Sequence, residues 1–319
     1  MRSDIPLPRR QLTRSRLALP PDVAYIYRAQ AEEDRGYLGD SWIDDMIDRG
    51  TRFLEVMAED SEYIQIRDAE ADLSFSLSLF DSSLLIDHLQ VIGAVELWVD
   101  ITALSYGSWA SILRVAIERG VRVFVIYTEP ASYTENANPL RGMRFNLSAR
   151  THGLAPLPGF VRLWPPEDEV SVLVPMLGFE GDRLQRVLEE TDFDSRVTFP
   201  ILGLPGFRPE YPFLSLDGNS RSLDVVPLHR NIRFARANCP FEAYLAAEDL
   251  REREGADHVT FAPIGTKPHA LGALLQVLRH PNNSSIVYDH PVRSARRTSG
   301  AASLCVYAVS EFLEALPNS

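Results

Sequence analysis

Runs of apolar residues alternate along the chain with stretches whose apolar positions repeat at helical spacing. Strand-like runs occupy residues 95–101, 121–127, 170–179, 197–207 and 259–264, and helical stretches occupy residues 107–119, 181–192, 238–254 and 267–276. Continuous apolar strands of this kind are typical of parallel sheets that are covered on both faces. The alternation therefore predicts an α/β fold: an open, mostly parallel, Rossmann-like sheet with repeated βαβ units and helices on both faces.

The remaining stretches give weaker patterns. Residues 42–54 show helical spacing, residues 73–79 alternate apolar residues with Ser as in a half-exposed strand, and residues 81–92 predict another helix. We expect loops at residues 129–166, 208–229 and 293–300, which are rich in Pro, Gly or small polar residues, and a last strand at 304–309. A connection as long as 129–166 is usually a lid, an insertion or a flexible segment.

These patterns divide the chain into three predicted segments. Residues 1–21 are rich in Pro and Arg and lack periodicity, which is typical of a flexible tail, although such a tail can also dock a protein partner or a nucleic acid. Residues 22–166 form the predicted amino-terminal α/β half, and residues 167–319 form the carboxyl-terminal half with the candidate anion site.

The most informative turn lies where the strand at 259–264 gives way to a helix. The strand pattern breaks at Gly265, and Thr266, Lys267 and Pro268 begin the helix, because Pro is favoured in the first helical turn. Lys267 is the only lysine among the 32 basic side chains. A helix N-terminus attracts anions, and a lysine ammonium approaches a phosphate as a compact point charge. The turn therefore predicts a phosphate site; the alternative is an ordinary surface lysine.

Further candidates are expected on the same edge of the sheet. If a right-handed crossover returns the chain after Lys267, the strand near residue 286 lies parallel to the previous one, and both carboxyl ends face one edge. That edge would gather the ligand-binding candidates Gly265, Thr266, Lys267, His269, Arg293, Arg296 and Arg297. Cations that converge in an acidic protein favour a polyanionic ligand. The alternative is that the arginines pair with surface carboxylates.

The turn after the strand at 95–101 offers a second set of ligand-binding candidates, Asp100, Thr102, Ser105 and Tyr106. Small polar residues crowd the carboxyl end of this strand, and ligands of open α/β sheets bind at that edge. We expect these residues to form the wall opposite Lys267. The alternative is structural: Thr102 and Ser105 cap the next helix, and Asp100 closes a turn.

Composition and charge exclude several classes of protein. The chain has 319 residues, a formal net charge of −12 and two cysteines, Cys239 and Cys305, which argues against a nucleic-acid-coating protein and against a disulfide framework. The histidines lack metal-ligand spacing, and no apolar run reaches the roughly 20 residues of a membrane span. No GxGxxG, GxxxxGK[ST] or GxSxG sequence occurs. We expect a cytoplasmic protein without a metal, a cofactor or a membrane anchor.

Two turns resemble those of the CRISPR-associated Rossmann-fold (CARF) nucleotide sensors: Gly265-Thr266-Lys267 and, more loosely, Asp100-Ile101-Thr102. The resemblance covers these turns and the general order of elements. It implies recognition of a cyclic or linear oligonucleotide, a homodimer with the ligand across the two-fold axis, and a signalling role in bacterial antiviral defence. The chain departs from the family in having no recognisable nuclease, winged-helix or HEPN effector segment, and the connection at 129–166 has no counterpart in the resemblance.

The leading hypothesis is a nucleotide- or oligonucleotide-recognising Rossmann-like protein, which we expect to be a homo-oligomer. The alternative from a different class is an enzyme, of hydrolase or nucleosidase type, acting on a nucleotide or phosphorylated substrate. Its acid–base groups would come from Asp100, Glu129, Asp289 and His290. A third hypothesis is a non-catalytic subunit of a larger assembly, attached to a protein partner through the Arg-rich tail.

Overall fold

The computed structural model describes residues 5–29, 34–140, 142–160, 170–225 and 227–317, which fall into two compact units. The terminal unit comprises Asp4–Ser132 together with Thr298–Ser319, and the central unit runs over Tyr133–Arg297. These boundaries differ from the single division expected near residue 166. The last strand of the chain belongs with the first half of the sequence, so the central unit is an insertion in the terminal unit.

The strands and helices follow one another in the order typical of α/β folds. The strands are β1 (Arg9–Leu12), β2 (Val23–Tyr27), β3 (Thr51–Glu59), β4 (Tyr63–Asp68), β5 (Leu73–Ser78), β6 (Glu96–Asp100), β7 (Arg122–Tyr133), β8 (Glu135–Leu140), β9 (Met143–Phe145), β10 (Ser148–Thr151), β11 (Ser171–Met176), β12 (Ile201–Gly203), β13 (Arg233–Ala235), β14 (His258–Pro263), β15 (Ser284–Ile286), β16 (Pro291–Arg293) and β17 (Thr298–Ala308). The helices are α1 (Asp40–Asp48), α2 (Ser83–Val91), α3 (Tyr106–Glu118), α4 (Gly181–Thr191), α5 (Tyr211–Gly218), α6 (Ser220–Val225), α7 (Pro240–Glu254), α8 (Lys267–Arg279) and α9 (Val309–Ala315).

The terminal unit is built on an eight-stranded sheet with the order β1-β17-β7-β6-β2-β3-β4-β5. The strands β7, β6, β2 and β3 are parallel to one another, whereas β4 and β5 extend the sheet by antiparallel pairing. The chain moves from β2 to β3 in one direction and from β6 to β7 in the other. The topological switch point of this sheet therefore lies between β2 and β6.

The central unit contains a fully parallel five-stranded sheet with the order β13-β12-β11-β14-β15. The chain winds outward from β11 to β13 and then outward on the other side from β14 to β15, which puts the switch point between β11 and β14. Right-handed crossovers that run in opposite directions place helices on both faces of the sheet. The predicted α/β class with a mostly parallel, Rossmann-like sheet is confirmed.

Each unit has its own apolar core. In the terminal unit, Tyr25, Phe53 and Trp98 are buried together, and the Trp98 ring stacks on Phe124 with centroids 4.4 Å apart. In the central unit, leucines of β11, β12 and α4 form a cluster that includes Leu173. Because parallel strands are buried on both faces, these cores explain the continuous apolar runs in the sequence.

The predicted flexible tail is, over its described residues, part of the terminal unit. β1 pairs antiparallel with β17 from Arg9↔Tyr307 to Leu12↔Leu304, and Leu17 is buried. This strand differs from the aperiodic tail expected from the sequence, because a four-residue edge strand between Pro and Arg residues leaves no periodicity to detect. Attachment of a protein partner through this segment stays a prediction.

Three other segments differ from the predictions. Residues 208–229 contain α5 and α6 instead of a loop, with Pro212 in the first turn of α5 and Asn219 between the two helices. Within 129–166, β7 continues to Tyr133 and β8, β9 and β10 follow, while residues 161–169 lie outside the described part. The helix predicted over 42–54 ends at Asp48, because Gly50 adopts a positive φ of 91° and β3 begins at Thr51.

Candidate functional site

The carboxyl ends of β11, β12, β14 and β15 form one edge of the central sheet, which we call the central edge. β14 lies beside β15 in parallel register, with Phe261 opposite Ile286, which confirms the predicted pairing of these strands. β14 also pairs with β11 over its whole length, from Ser171↔His258 to Met176↔Pro263. The loops after β11 and β14 therefore flank the switch point, where open α/β sheets bind ligands.

These two loops contact each other through glycine. A Cβ atom on Gly178, after β11, would collide with the carbonyl oxygen of Ile264, and one on Gly265, after β14, would collide with the carbonyl oxygen of Leu177. Glycine at both positions lets the two backbones pack directly against each other. The turn at Gly265 lies at its predicted position, between β14 and α8.

Thr266 is the N-cap of α8, and Lys267 is the first residue of that helix. The Thr266 hydroxyl donates to the carbonyl oxygen of Ala237 at 3.0 Å and accepts from the backbone N–H of His269 at 3.4 Å. The hydroxyl is thus used by the protein itself, as the cap of α8. Lys267 is partly buried and carries its charge on the first helical turn, the end of the helix dipole that attracts anions.

His269 serves the fold and does not line the edge. Its side chain is 0% exposed, and its Nε2 lies 3.1 Å from the carbonyl oxygen of Arg236. Burial lowers the pKa of His269 to about 4, so the imidazole is neutral at physiological pH. The predicted ligand contact of His269 is therefore corrected: the side chain joins the start of α8 to the segment after β13.

Arg183, in the first turns of α4, connects the strand ends of the central edge. Its Nε and Nη2 donate to the two carboxylate oxygens of Asp289 at 2.7 and 2.6 Å, and its Nη1 donates to the carbonyl oxygen of Ile264 at 3.1 Å. Burial lowers the pKa of Arg183, but the hydrogen bonds and charge of Asp289 outweigh that effect and raise it. Asp289 is therefore a buried structural partner of Arg183, and its acid–base role stays a prediction.

Sequence reasoning missed the role of Arg183. The signal was an arginine among the apolar positions of α4, immediately before Leu184, where a solvent-facing cation would not be expected. A buried arginine needs a carboxylate partner. Asp289, which follows the predicted strand near residue 286, can supply one. Periodicity alone cannot pair these two residues, because 106 positions separate them.

Tyr288, after β15, lies among three arginines. Burial raises the pKa of its hydroxyl, while the charges of Arg183, Arg293 and Arg297 oppose that shift. Arg293 and Arg297 are thus close enough to act on the same side chain as Arg183. Two of the three predicted arginines therefore belong to one basic group with Arg183, which we call the arginine group.

Arg296 and His290 occupy left-handed backbone conformations beside the arginine group, with φ of 53° and 43°. The side chain of Arg296 is exposed, and its carbonyl oxygen accepts from the Thr134 hydroxyl at 2.6 Å. The Nε2 of His290 lies 3.3 Å from the carbonyl oxygen of Ala155. Left-handed conformations are uncommon outside glycine, so these two residues shape the turns on either side of β16.

An aromatic cluster stands next to the loop after β11. It consists of Tyr133, Phe145, Phe179 and Tyr211, whose ring centroids lie 4.8 to 6.1 Å from their neighbours. Phe179 and Tyr133 are partly exposed, whereas Phe145 and Tyr211 are buried. Because Phe179 directly follows Gly178, the cluster adjoins the loop that touches the Lys267 turn. Sequence analysis did not identify it, since its members come from four separate segments.

The carboxyl ends of β2, β3, β6 and β7 form the corresponding edge of the terminal unit, which we call the terminal edge. Asp100, at the end of β6, accepts from the Tyr25 hydroxyl at 2.9 Å and from the backbone N–H of Thr102 at 2.9 Å. Arg14 lies 3.6 Å from the same carboxylate. Burial, with the charge of Asp100, raises the pKa of Tyr25 well above its ordinary value. Asp100 is 2% exposed, so it organises the edge internally.

The amino end of α3, also on the terminal edge, holds a carboxylate. Glu59, the last residue of β3, accepts from the backbone N–H of Ser105 at 3.0 Å and from the Ser108 hydroxyl at 2.6 Å. Arg28 forms an ion pair with Glu59. Ser105 is the N-cap of α3, as in the structural alternative. An internal anion thus occupies the place at which a helix N-terminus would bind a phosphate.

The remaining candidates on the terminal edge are also engaged. Thr102 is completely buried, and its hydroxyl accepts from the backbone N–H of Thr128 at 2.9 Å. Tyr106 is buried against Trp109, with ring centroids 4.6 Å apart. Glu129 accepts from the Tyr127 hydroxyl at 2.8 Å and is 3% exposed. These contacts do not suit an acid–base role for Glu129 or an open ligand wall.

The two predicted sets of ligand-binding residues belong to different units. Gly265, Thr266, Lys267, His269, Arg293, Arg296 and Arg297 lie in the central unit, and Asp100, Thr102, Ser105 and Tyr106 lie in the terminal unit. The wall predicted opposite Lys267 stays a prediction; within the central unit, the loop after β11 contacts the Lys267 turn through Gly178 and Gly265.

Neither a cluster of metal ligands nor a membrane-spanning helix occurs within the described ranges. No group of three or more His, Cys, Asp and Glu side chains is arranged to hold a metal ion there. Among the same residues, no helix combines the length and apolar character needed to cross a membrane.

Among known proteins, the chain has likenesses in solved structures. No protein-family model matches the chain, and no curated protein matches it. Among solved structures, it is similar to a CobK precorrin-6A reductase at 14% sequence identity, over 86% of this chain and 90% of that one, with a TM-score of 0.23. The α/β assignment of this chain rests on its own strand order, not on this likeness.

Proposed function

We propose that this protein binds a nucleotide at the central edge, with a phosphate at Lys267. The observation that carries the proposal is topological: Lys267 opens the helix that follows β14, one of the two strands at the switch point. Ligands of open α/β sheets bind outside the carboxyl ends of these strands, and a helix N-terminus there favours an anion. The position of the chain's lone lysine fits both rules.

The surrounding charge supports an anionic ligand. Although the chain has a formal net charge of −12, Arg183, Arg293 and Arg297 act together on Tyr288 at the end of β15. Asp289 neutralises Arg183, which fixes the guanidinium between the strand ends. Arg293 and Arg297 add positive charge on the side of β14 away from β11. Positive charge at the end of β15 favours an anionic ligand there.

The aromatic cluster supports a nucleotide over a simple sugar phosphate. Phe179 and Tyr133 are partly exposed and lie on the β11 side of the switch point, across the glycine contact from the Lys267 turn. A base that stacks on an aromatic ring gains about 1–3 kcal/mol by alanine-substitution measurements on other proteins. The central edge thus offers a stacking surface on one side of the switch point and cations on the other.

The test is isothermal titration of the full chain with ATP, AMP, ribose 5-phosphate and inorganic phosphate. We expect the nucleotides to bind more tightly than ribose 5-phosphate. Lys267→Ala should weaken nucleotide binding at least about tenfold, since a hydrogen bond to a charged group contributes about 1.5–3 kcal/mol. Phe179→Ala should weaken nucleotide binding but leave the binding of inorganic phosphate unchanged.

Two variants serve as matched controls. Arg253→Ala removes an exposed cation from the last turn of α7, and Phe213→Ala removes a ring that is 72% exposed on α5. Both should bind nucleotides as the parent does. If Lys267→Ala binds all four compounds with the parent affinities, the proposed phosphate site is wrong.

Recognition without turnover is favoured over hydrolysis. Asp100, Glu129 and Asp289, three of the four predicted acid–base groups, are buried and hydrogen-bonded within the protein. Mass spectrometry of nucleotide recovered after incubation separates the two functions. A binding protein returns the nucleotide intact, whereas a hydrolase or nucleosidase returns a free base, a nucleoside or a shorter phosphate chain.

The CARF resemblance of the Gly265-Thr266-Lys267 turn extends the proposal to a sensor in bacterial antiviral defence. On this view, the bound ligand is a signalling oligonucleotide, so a cyclic or linear oligoadenylate should bind more tightly than ATP in the same titration. Equal or weaker binding of the oligonucleotide would argue against the sensor role but not against the nucleotide site. The antiviral role and the cytoplasmic location stay predictions.

A further inference from the structure

β5 differs from the other edge strands of the two large sheets. The eight-stranded sheet of the terminal unit ends in β1 and β5, and the five-stranded sheet of the central unit ends in β13 and β15. β1 carries Arg9 and Arg10, and β13 and β15 are each three residues long. β5 is six residues long, has the uncharged sequence LSFSLS, and pairs regularly with β4 without a bulge. It therefore has none of the usual features that prevent edge-to-edge pairing.

The backbone of β5 presents hydrogen-bonding groups on its outer side. Directly opposed residues of an antiparallel pair alternate between bonded and non-bonded pairs. The N–H of Leu79 donates to the carbonyl oxygen of Glu62 at 2.7 Å, directly across from it, so Phe75 faces β4 with its own N–H and C=O. The backbone N–H and C=O groups then point outward, away from β4, at Ser74, Ser76 and Ser78. The Ser78 carbonyl accepts from the Ser82 hydroxyl at 2.9 Å, which leaves Ser74 and Ser76 for a further strand.

Exposed apolar side chains accompany this edge. Leu73 on β5 is 44% exposed, and the ring of Phe75 lies 4.8 Å from that of His88 on α2. On α2, which follows β5, Leu84 is 56% and Val91 83% exposed, with the exposed Asp87 between them. Exposed apolar side chains on β5 and α2 thus accompany a strand edge with unused hydrogen-bonding groups.

We propose that a second copy of this chain pairs with β5 in antiparallel orientation, about a two-fold axis at Phe75. In this register Ser74 lies opposite Ser76 of the second copy, and Ser76 lies opposite Ser74 of the second copy. Each of these two pairs exchanges two backbone hydrogen bonds, which makes four in all. A register centred on Ser76 would need the occupied Ser78 carbonyl, and one centred on Ser74 would need Asp72, whose φ is 48°. The Phe75-centred register alone uses only Ser74 and Ser76.

The chemistry of the edge fits a second copy. A two-fold axis brings identical surfaces together, so a charged edge would repel itself. The chain has a formal net charge of −12, yet residues 73–80 carry no charge. The two Phe75 side chains would form a non-hydrogen-bonded cross-strand pair, which brings side chains closest, and Leu73 would face Leu77 of the second copy. This inference is independent of the proposed nucleotide site.

The first test is the mass of the full chain in solution by light scattering coupled to size exclusion. We expect a species of twice 35.8 kDa that dissociates on dilution. Ser76→Lys should yield the monomer, because the two-fold axis places both new charges on the neutral edge. Ser61→Lys, in the exposed turn between β3 and β4, introduces the same change away from the edge and should remain dimeric. A monomeric parent, or a dimeric Ser76→Lys variant, would overturn the proposal.

A disulfide test fixes the register. Opposed residues in a non-hydrogen-bonded pair have Cα atoms about 4.5 Å apart, within the range that a disulfide spans. Phe75→Cys should therefore give a covalent dimer on mild oxidation. Leu73→Cys should not, because the second copy presents Leu77 at that place; the native Cys239 and Cys305 are buried and serve as internal controls. Cross-linking through position 73 but not 75 would refute the register.

Discussion

The terminal and central edges show two different uses of the same type of sheet. Both lie at the carboxyl ends of parallel strands beside a switch point. At the terminal edge, the amino end of α3 holds the carboxylate of Glu59, which is paired with Arg28. At the central edge, α8 begins with Thr266 and Lys267. In both units, the topology places a helix N-terminus at the strand ends. The side chain that lies at this N-terminus decides whether an external anion is favoured there.

The largest effect is expected from the ion pair that supports the central edge. Asp289→Asn leaves the buried guanidinium of Arg183 without its carboxylate, and breaking a buried pair on one side costs about 3–5 kcal/mol. The free energy of unfolding, measured with urea, should fall by that amount. Glu135→Gln breaks the exposed pair with Arg144 in the same unit and should change it little. Equal losses in the two variants would mean that the Arg183–Asp289 pair does not hold this edge together.

The second prediction concerns pH and also applies to the central edge. Burial holds the pKa of folded His269 at about 4, below the 6.5 of an ordinary histidine, so the unfolded chain takes up the proton first as pH falls. Stability supplied by the neutral imidazole is present above pH 6.5 and is lost as pH decreases toward 4, by up to about 3 kcal/mol. Urea unfolding at a series of pH values measures this slope.

The control for this pH dependence is His269→Gln. Glutamine can still donate to the carbonyl oxygen of Arg236 but does not titrate, so its free energy of unfolding should fall less steeply between pH 6.5 and 4.5. His152→Gln changes an exposed histidine and should keep the parent slope. A parent-like slope in His269→Gln would show that other groups cause the acid sensitivity.

The third prediction tests whether the terminal edge is filled from within. Glu59→Gln keeps hydrogen-bond acceptors for Ser105 and Ser108 but removes the charge beside Arg28. We expect a loss of about 1–2 kcal/mol in the free energy of unfolding, because charge-assisted hydrogen bonds become neutral ones. The glutamine side chain still fills the amino end of α3, so inorganic phosphate should gain no site there in calorimetry. Glu70→Gln, which alters the partly exposed pair with Arg52 elsewhere in this unit, should change the free energy of unfolding little.

The smallest effects come from the two helix caps. Ser105→Ala and Thr266→Ala should each lower the free energy of unfolding by about 0.5–2 kcal/mol, because each loses a side-chain acceptor for a backbone N–H. Only Thr266→Ala should also weaken nucleotide binding, since it disturbs the turn that positions Lys267. Thermal unfolding with and without ATP measures both effects. Loss of ATP stabilisation in Ser105→Ala would move the site to the terminal edge.

The sequence predicted elements and strand ends better than contacts. Buried parallel strands such as β6 and β14 are continuous apolar runs, and the break at Gly265 lies at its predicted place, because a strand–helix turn is a local signal. The edge strand β1 and the helices α5 and α6 were missed. Their sequences mix Pro, Arg and Gly with apolar residues, and tertiary pairing decides their structure.

The candidate site was predictable only where its residues are neighbours in sequence. Gly265, Thr266 and Lys267 form one turn, and their order alone indicates a helix N-terminus. Arg183 and Asp289 meet through the fold, so neither periodicity nor spacing could pair them. His269 illustrates the opposite error: it stands in the right turn, but its side chain points into the protein, and sequence position does not reveal side-chain direction.

The place of β17 has a consequence for synthesis. This strand lies between β1 and β7 in the terminal sheet, yet it follows the whole central unit in the chain. A ribosome delivers β1 to β7 first, then every strand of the central sheet, and only afterwards the strand that joins β1 to its neighbours. Because domains fold as units during translation, the sheet of the central unit can form before β17 completes the sheet of the terminal unit.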